Sequence, residues 1–425
     1  MFEKGPKNNQ AGAAKITENK DCPTTVENLQ HHLPPLVCSF TALENLVFIA
    51  IGCSAAYAAM IIYFLVGWYR TTWLKTLPEN ALPSVTVIIP VRNEAESIQE
   101  CIRSVFRQNY DAGKMEVIVI NDYSLDPTLR LAKEEMREGL KVLNLENYFG
   151  DHNEKVPNKK KAITLGIKNA KSELIVTTDG DCLMSENWLR TMVAFYQSNS
   201  YKLVTAPVMM APAKGLLGLF QQLDVISLSG ITCGTIANGF PTMCNGANLI
   251  YEKKTFLEVD GFKGNMDVPT GDDVFLMQKI ETLYPRSIGF LKHADACVFS
   301  KPEPSLSTFF SQRIRWTSKS TQFKRRMVTV VLVFAWLYNF AVLAAAGFAF
   351  YPIKQAWIPV AILGGTKFFF DVIFNIGVAH FYKRKIVLLL SPLFEVFHIL
   401  YVVLIGLFSL RGRYKWKYRK IVPKP

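Results

Sequence analysis

Residues 46–68 contain no charged side chain and are long enough to cross a bilayer as one helix. No other stretch restricts the fold so strongly. Lipid offers the backbone no hydrogen bonds, so a run of this kind must satisfy its own polar groups as a helix. Apolar runs at 328–350, 357–381 and 386–410 repeat the condition near the other end. A multi-pass membrane protein is expected, with one N-terminal and about three C-terminal transmembrane or re-entrant helices. The mean hydropathy of +0.15 agrees with that class.

Residues 1–45 form a polar tail of nearly balanced charge, expected to be poorly ordered apart from a short helix near 26–32. This tail has no apolar core followed by a cleavage site, so no signal peptide is expected. Trp68, Tyr69 and Trp73 suit an interfacial belt, and Arg70 and Lys75 follow the first span. The positive-inside bias then puts the next domain in the cytoplasm, at the cell (inner) membrane. The net charge of +13 comes largely from basic residues beside the apolar runs. That placement fits anionic lipid headgroups and argues against nucleic acid. The eight cysteines are scattered without metal spacing and are expected to be reduced.

Between the spans, strand and helix patterns alternate. Apolar β-rich runs at 85–89, 117–120, 141–145 and 174–177 are separated by helical patterns at 94–107, 127–138 and 160–169. This is an α/β pattern with a mostly parallel, Rossmann-like sheet covered on both faces, over 84–307. Such sheets bind ligands beyond the carboxyl ends of their strands. An amphipathic stretch at 216–228 could lie on the membrane surface. A basic interfacial helix is expected at 308–327, membrane segments at 328–410 and a basic cytoplasmic tail at 411–425. Three full C-terminal crossings would put that tail outside, against its charge, so one of the last two segments should be re-entrant or interfacial. Lys367, Asp371, Glu395 and His398 lie inside these segments, where ionisable groups need a partner or a cavity.

Polar groups follow three of the strands: Pro90-Val91-Arg92-Asn93-Glu94, then Asn121-Asp122-Tyr123-Ser124, then Asp179-Gly180-Asp181. Gly271-Asp272-Asp273 and Gln312-Arg313-Ile314-Arg315-Trp316 come later. Two carboxylates one residue apart at a strand end can both reach a hard divalent cation, although the same triplet also makes a polar turn. Gly271-Asp272-Asp273 equally suits the start of a helix.

These five motifs in this order resemble the membrane-bound family 2 glycosyltransferases of GT-A fold, relatives of cellulose, chitin and hyaluronan synthases and of lipid-glycosylating transferases. The resemblance covers roughly 84–330, and more weakly the closing Trp416-Lys417-Tyr418-Arg419, where Tyr418 replaces a glycine of the family pattern. It implies a nucleotide-sugar site at Pro90, Glu94, Asp122, Lys159, Asp179 and Arg315, with Lys161 as the alternative lysine. It implies a metal ligand, Asp181, for Mg²⁺ or Mn²⁺, and a general base, Asp273, beside Asp272. Like-charge repulsion between these two neighbours would raise one pKa towards neutrality. Gly246, Asn248, Gln312 and Trp316 would face the acceptor.

The implied reaction is inverting, metal-dependent transfer of a sugar from a nucleotide donor, with UDP the expected nucleotide, to a hydroxyl of a membrane-lipid-type acceptor. A processive polysaccharide synthase is the second reading, and a non-catalytic membrane scaffold or transporter the third.

Overall fold

The structure, a computed structural model, describes residues 35–71, 74, 82–150, 159–320, 323, 326–350, 355–410, 414–417 and 419–421. The expected short helix at 26–32 and Trp73 lie outside the described residues. The chain divides into Met1–Phe48 and Ile49–Pro425, and the second unit holds the sheets.

Helix α1 (Pro35–Arg70) leads to the sheet. Its strands are β1 (Val85–Val91), β2 (Met115–Asn121), β3 (Leu140–Asn144), β4 (Leu174–Thr177), β6 (Leu203–Thr205), β8 (Leu249–Glu252) and β9 (Ile288–Phe290), in the order β3-β2-β1-β4-β8-β6-β9. All pairings are parallel except those of β8, which runs antiparallel to both neighbours. Every residue of β1 and β2 is buried, as continuous apolar runs require when helices cover both faces. Helices α2 (Ile98–Phe106), α3 (Thr128–Glu134), α4 (Glu146–Phe149), α5 (Lys159–Asn169) and α6 (Trp188–Gln197) supply that cover. A smaller sheet of β5 (Cys182–Met184), β10 (Val298–Ser300) and β7 (Val208–Met210) stands beside it.

The expected surface helix at 216–228 is corrected. It is the first part of α7 (Leu216–Ala237), most of which is buried against the rest of the protein. Its polar residues made it look amphipathic, but they bond inward: Gln221 exchanges hydrogen bonds with the Glu303 backbone, and Asp224 pairs with Arg313 at 2.6 Å. At Gly67 and Gly234, α1 and α7 meet backbone to backbone. A Cβ on Gly234 would stand 2.2 Å from the Phe64 carbonyl oxygen, so no side chain fits there. The interfacial role expected of Trp68 is also corrected. It is 1% exposed, with the Lys292 ammonium 3.9 Å above its ring.

Helices α8 (Lys253–Glu258), α9 (Asp272–Leu283), α10 (Leu306–Ser318), α11 (Arg326–Phe348), α12 (Ile358–Ala379) and α13 (Lys385–Ser409) complete the helical elements. Helices α1, α7, α11, α12 and α13 are long and apolar enough to cross a membrane. Leu389, Val396, Phe397, Leu337 and Phe340 point outward, as lipid-facing side chains do. Inside, Lys367 pairs with Asp371 on α12 and with Glu395 on α13 at 2.8 Å, while the Tyr57 hydroxyl of α1 donates to Asp371 at 2.7 Å. Lys367, Asp371 and Glu395, all picked out from the sequence, are thus one another's partners. Removing one member of such a buried set costs about 3–5 kcal/mol.

Two contacts bear on topology. Strands β6 and β8 pair across α7 in sequence, so both ends of α7 lie on one side. A closing hairpin, β11 (Tyr414–Trp416) and β12 (Arg419–Ile421), returns to the sheet, where Arg419 pairs with Asp122 at 3.2 Å. An odd number of crossings by α11, α12 and α13 is therefore excluded. Both α12 and α13 are long continuous helices.

Candidate active site

The loops after β1 and β2 are clipped together. Arg92 is buried and donates to the backbone oxygens of Asp122 and Tyr123 at 2.6 and 2.5 Å. The Asn93 and Glu94 N–H groups donate to Ser124 Oγ and Thr128 Oγ1, and the Ala95 N–H to Asp126. The helix expected from 94 starts at Ile98, and residues 94–97 form a turn in which the Ile98 N–H donates to the Glu94 carbonyl at 2.9 Å. Glu94 is thereby held in a turn with its carboxylate towards Asp179-Gly180-Asp181. A Cβ on Gly180 would come 2.7 Å from Val91 and 3.3 Å from Glu94 Cγ, which is why the residue between the two aspartates carries none.

Beyond β4, Lys159 at the start of α5 joins two distant segments. Its Nζ lies 2.7 Å from Asp179 Oδ1 and 3.3 Å from Asp272 Oδ2. Burial works against this ammonium, but Asp179, Asp272 and Asp273 outweigh it and raise its pKa. Lys161, the alternative, lies over the Phe149 ring instead. Gly246 closes the same spot: a Cβ there would be 3.0 Å from Asp272 Oδ2 and 3.5 Å from both Lys159 Nζ and Asp273 Cβ. Gly271, at φ +81°, is the N-cap of α9, and Asp272 and Asp273 occupy its first turn, where the helix dipole favours negative charge.

The closing hairpin thus reaches Asp122 through Arg419 and Glu94 through Lys417, Glu94 borders Gly180, and Lys159 joins Asp179 to Asp272, with Asp273 next in sequence. Lys417 is 2.9 Å from Glu94, and Arg419 covers Asp122, leaving that aspartate 2% exposed. Asp181 sits beside Asp179 and accepts from Ser300 Oγ at 2.8 Å, with no cationic partner among the described residues. Burial, and then the Asp181 charge, push Glu94 up to about 7 although Lys417 pulls the other way. An uncompensated carboxylate at a strand end suits a hard divalent cation, so Asp181 fits Mg²⁺ or Mn²⁺, while Asp179 beside it is already paired with Lys159.

Asp273 departs from expectation. Its pKa is lowered, not raised: burial opposes ionisation, but Lys319 at 3.0 Å, the Val274 N–H and Lys159 more than offset it. Lys319 was not anticipated, although it stands one helical turn past Arg315. On α10 itself, Gln312 bonds to Glu303 at 2.8 Å, and Trp316 packs beneath the Arg313 guanidinium at 4.0 Å. Arg315 is half-buried on the same helix. Pro90 is buried at the end of β1. The acceptor-facing placement of Asn248 is corrected. It is fully buried, donating to the Pro207 and Ala296 carbonyls and accepting from Trp188 Nε1, so its amide braces loops and has no free edge for a sugar. Cys53, Cys101, Cys182, Cys233, Cys244 and Cys297 are free thiols.

Comparison with known proteins agrees with this geometry. The family model for glycosyl transferase family 2 matches residues 86–223, and that for glycosyl transferase family group 2 matches 174–410. Glycosyltransferase AglE of Haloferax volcanii is 32% identical over 127 residues, 29% of this chain and 39% of its own length. The poly-beta-1,6-N-acetyl-D-glucosamine synthase of Staphylococcus epidermidis is 24% identical over 271 residues, 60% of this chain and 62% of its own. The 4,4'-diaponeurosporenoate glycosyltransferase of Staphylococcus haemolyticus is 25% identical over 200 residues, covering 46% and 51%. The chain therefore spans less than two thirds of each relative. Among solved structures, the mannosyltransferase PcManGT of Pyrobaculum calidifontis, in complex with GDP-Man and Mn²⁺, superposes with a TM-score of 0.52 at 16% identity, over 86% of this chain and 99% of that one. The shared fold is of GT-A type.

Proposed function

Because the chain belongs to the family 2 glycosyltransferases, we propose that it transfers a sugar, with inversion, from a nucleotide donor to a hydroxyl of a membrane-lipid-type acceptor. The supporting observation is the meeting of Lys159, Asp179, Asp272 and Gly246, with Asp273 adjacent, beyond the carboxyl end of β4. Sheets of this type bind nucleotides at that edge.

In this reading Asp122 and Glu94 accept hydrogen bonds from the nucleoside. Lys159 holds the diphosphate, and Asp179 the donor sugar. A divalent cation on Asp181, Mg²⁺ or Mn²⁺, would offset charge on the departing diphosphate. Asp273 accepts the proton of the acceptor hydroxyl. The freed oxygen attacks C1 as the bond from C1 to the phosphate oxygen breaks, and the nucleoside diphosphate leaves. One in-line displacement inverts C1, and no protein nucleophile is required. Gly246 leaves room for the sugar beside both aspartates. Gln312 and Trp316 belong to the acceptor side, and Arg315 and Lys319 add positive charge along the same wall.

The helices support the choice of acceptor. Parity leaves at most two full crossings among α11, α12 and α13, few for a polysaccharide channel within one chain. The second reading, a processive synthase, is favoured by the longer match to the staphylococcal polymer synthase. Sizing the product made by the protein in nanodiscs with radiolabelled UDP-sugars separates the two. A single added sugar on extracted lipid is expected, and a ladder of polymer would overturn the lipid acceptor.

The hairpin adds a prediction. Nucleoside contact with Asp122 requires Arg419 to yield, so Arg419→Ala should tighten UDP binding by roughly tenfold, the ~1.4 kcal/mol scale of a charged contact given up. Weaker binding in calorimetry would make Arg419 part of the nucleotide site instead.

A further inference from the structure

Lys160 neighbours the lysine of the cleft but faces the other way. It is 5% exposed. Its Nζ donates to three backbone carbonyls, those of Asn265, Val268 and Thr270, at 2.6, 2.9 and 3.1 Å. The Phe275 ring of α9 lies 4.9 Å from the same nitrogen. An ammonium has three protons, and here each has one carbonyl. All three acceptors lie in one short loop that ends at Gly271, directly before Asp272 and Asp273.

We propose that Lys160 is a positioning residue: by gathering these three carbonyls it fixes the loop 265–270 and thereby the position of Asp272 and Asp273 in the cleft. The inference rests on the reading of those two aspartates as part of the reacting site.

Two features support a role beyond packing. The loop carries few other anchors of its own. Its internal backbone bonds include Asn265 N–H to Phe262 O and Val268 N–H to Asn265 O, both short-range turns. Gly271 then turns the chain at a positive φ, so the direction of α9 depends on where the loop is held. The charged groups around Lys160 are Asp272 and Asp273 on α9, Lys319 after α10, and Lys159 and Lys161 on its own helix. Burial brings the ammonium down to about 8, against the pull of Asp272 and Asp273 and with a push from Lys319. Above that pH the neutral amine keeps two protons for three carbonyls, and one contact is lost.

Two readouts test this, one independent of catalysis. Hydrogen–deuterium exchange at pH 7 on the full-length protein in nanodiscs should show faster exchange across 265–271 in Lys160→Met than in wild type, with the central strands unchanged. Transfer kinetics should show kcat down by about 10–100-fold with the donor KM within about twofold, the signature of displaced catalytic groups. Wild type should lose kcat above pH 8, and Lys160→Arg, which cannot lose its charge, should fold and should abolish that decline. Unchanged loop exchange in Lys160→Met would overturn the clamp. So would faster exchange with unchanged kcat, or an alkaline decline identical in wild type and Lys160→Arg. If wild type itself transfers no sugar, the functional reading fails, while the exchange result still decides whether Lys160 holds the loop.

Discussion

Asp273→Asn should lower kcat by about a thousandfold, within the ~10²–10⁴ that general-base catalysis contributes, while UDP binding stays near wild type. Asparagine keeps the size of the side chain and an oxygen for the Val274 N–H, which now bonds to Asp273 Oδ1 at 2.7 Å. It cannot take up a proton. The effect therefore falls on the chemical step, and the donor KM should hardly move. The pH profile follows from the environment of Asp273. Lys319 and the helix N-terminus hold its pKa below the ordinary aspartate value. It is thus ionised throughout the neutral range, and activity that depends on it is lost only as pH falls through the lowered pKa. Lys319→Gln removes the main cation and should move that acid limb upward. The same linkage makes Asp273 a source of stability above the unfolded aspartate pKa of about 3.9, lost on further acidification. Steady-state kinetics of Asp273→Asn that match wild type would assign the proton to another group.

Asp181→Asn should abolish metal-dependent binding of the nucleoside diphosphate and, with it, turnover. Asp181 has no cationic partner among the described residues, and its charge contributes to pushing Glu94 up to about 7. That situation is relieved when a divalent cation binds. Wild type with Mn²⁺ and UDP at one hundred times Kd should gain about 2.7 kcal/mol of stability by mass action, read as a rise in Tm. The variant should gain almost nothing from the pair while keeping its apo Tm. An undiminished Mn²⁺-dependent rise in Asp181→Asn would move the cation site elsewhere. In metal-free protein the variant should also lower the pKa of Glu94, though only in part, because burial is the larger cause.

The strands of the sheet were legible because a parallel sheet buried on both faces needs uninterrupted apolar runs, and 85–89, 117–120 and 174–177 have them. The mostly parallel order followed from the alternation with helices. Other features depend on partners far away in sequence. Gln221 and Asp224 look like a solvent-facing stripe until Glu303 and Arg313 come to meet them. Asn248 stands in a motif next to Gly246, yet only the fold turns its amide into the core. Gly246 and Asn248 lie in the turn before β8, where no regular period fixes which way a side chain points. Arg419 and Asp122 are separated by nearly the whole catalytic domain and the C-terminal helices, and no local pattern pairs them. Lys319 is the exception that helical spacing could have found, four residues after Arg315 on the same segment.

The central claim is that carboxylates from the ends of β1, β2 and β4 and from the start of α9 form one nucleotide-sugar cleft. A cryo-EM map of the full-length protein with UDP and Mn²⁺ tests it most directly. The account predicts metal density against Asp181, diphosphate density against Lys159, and the nucleoside over Asp122 and Glu94, with Asp273 open to the acceptor side. Nucleotide density away from these residues, or a metal held by the Asp371, Glu395 and His398 group within the helices, would contradict it.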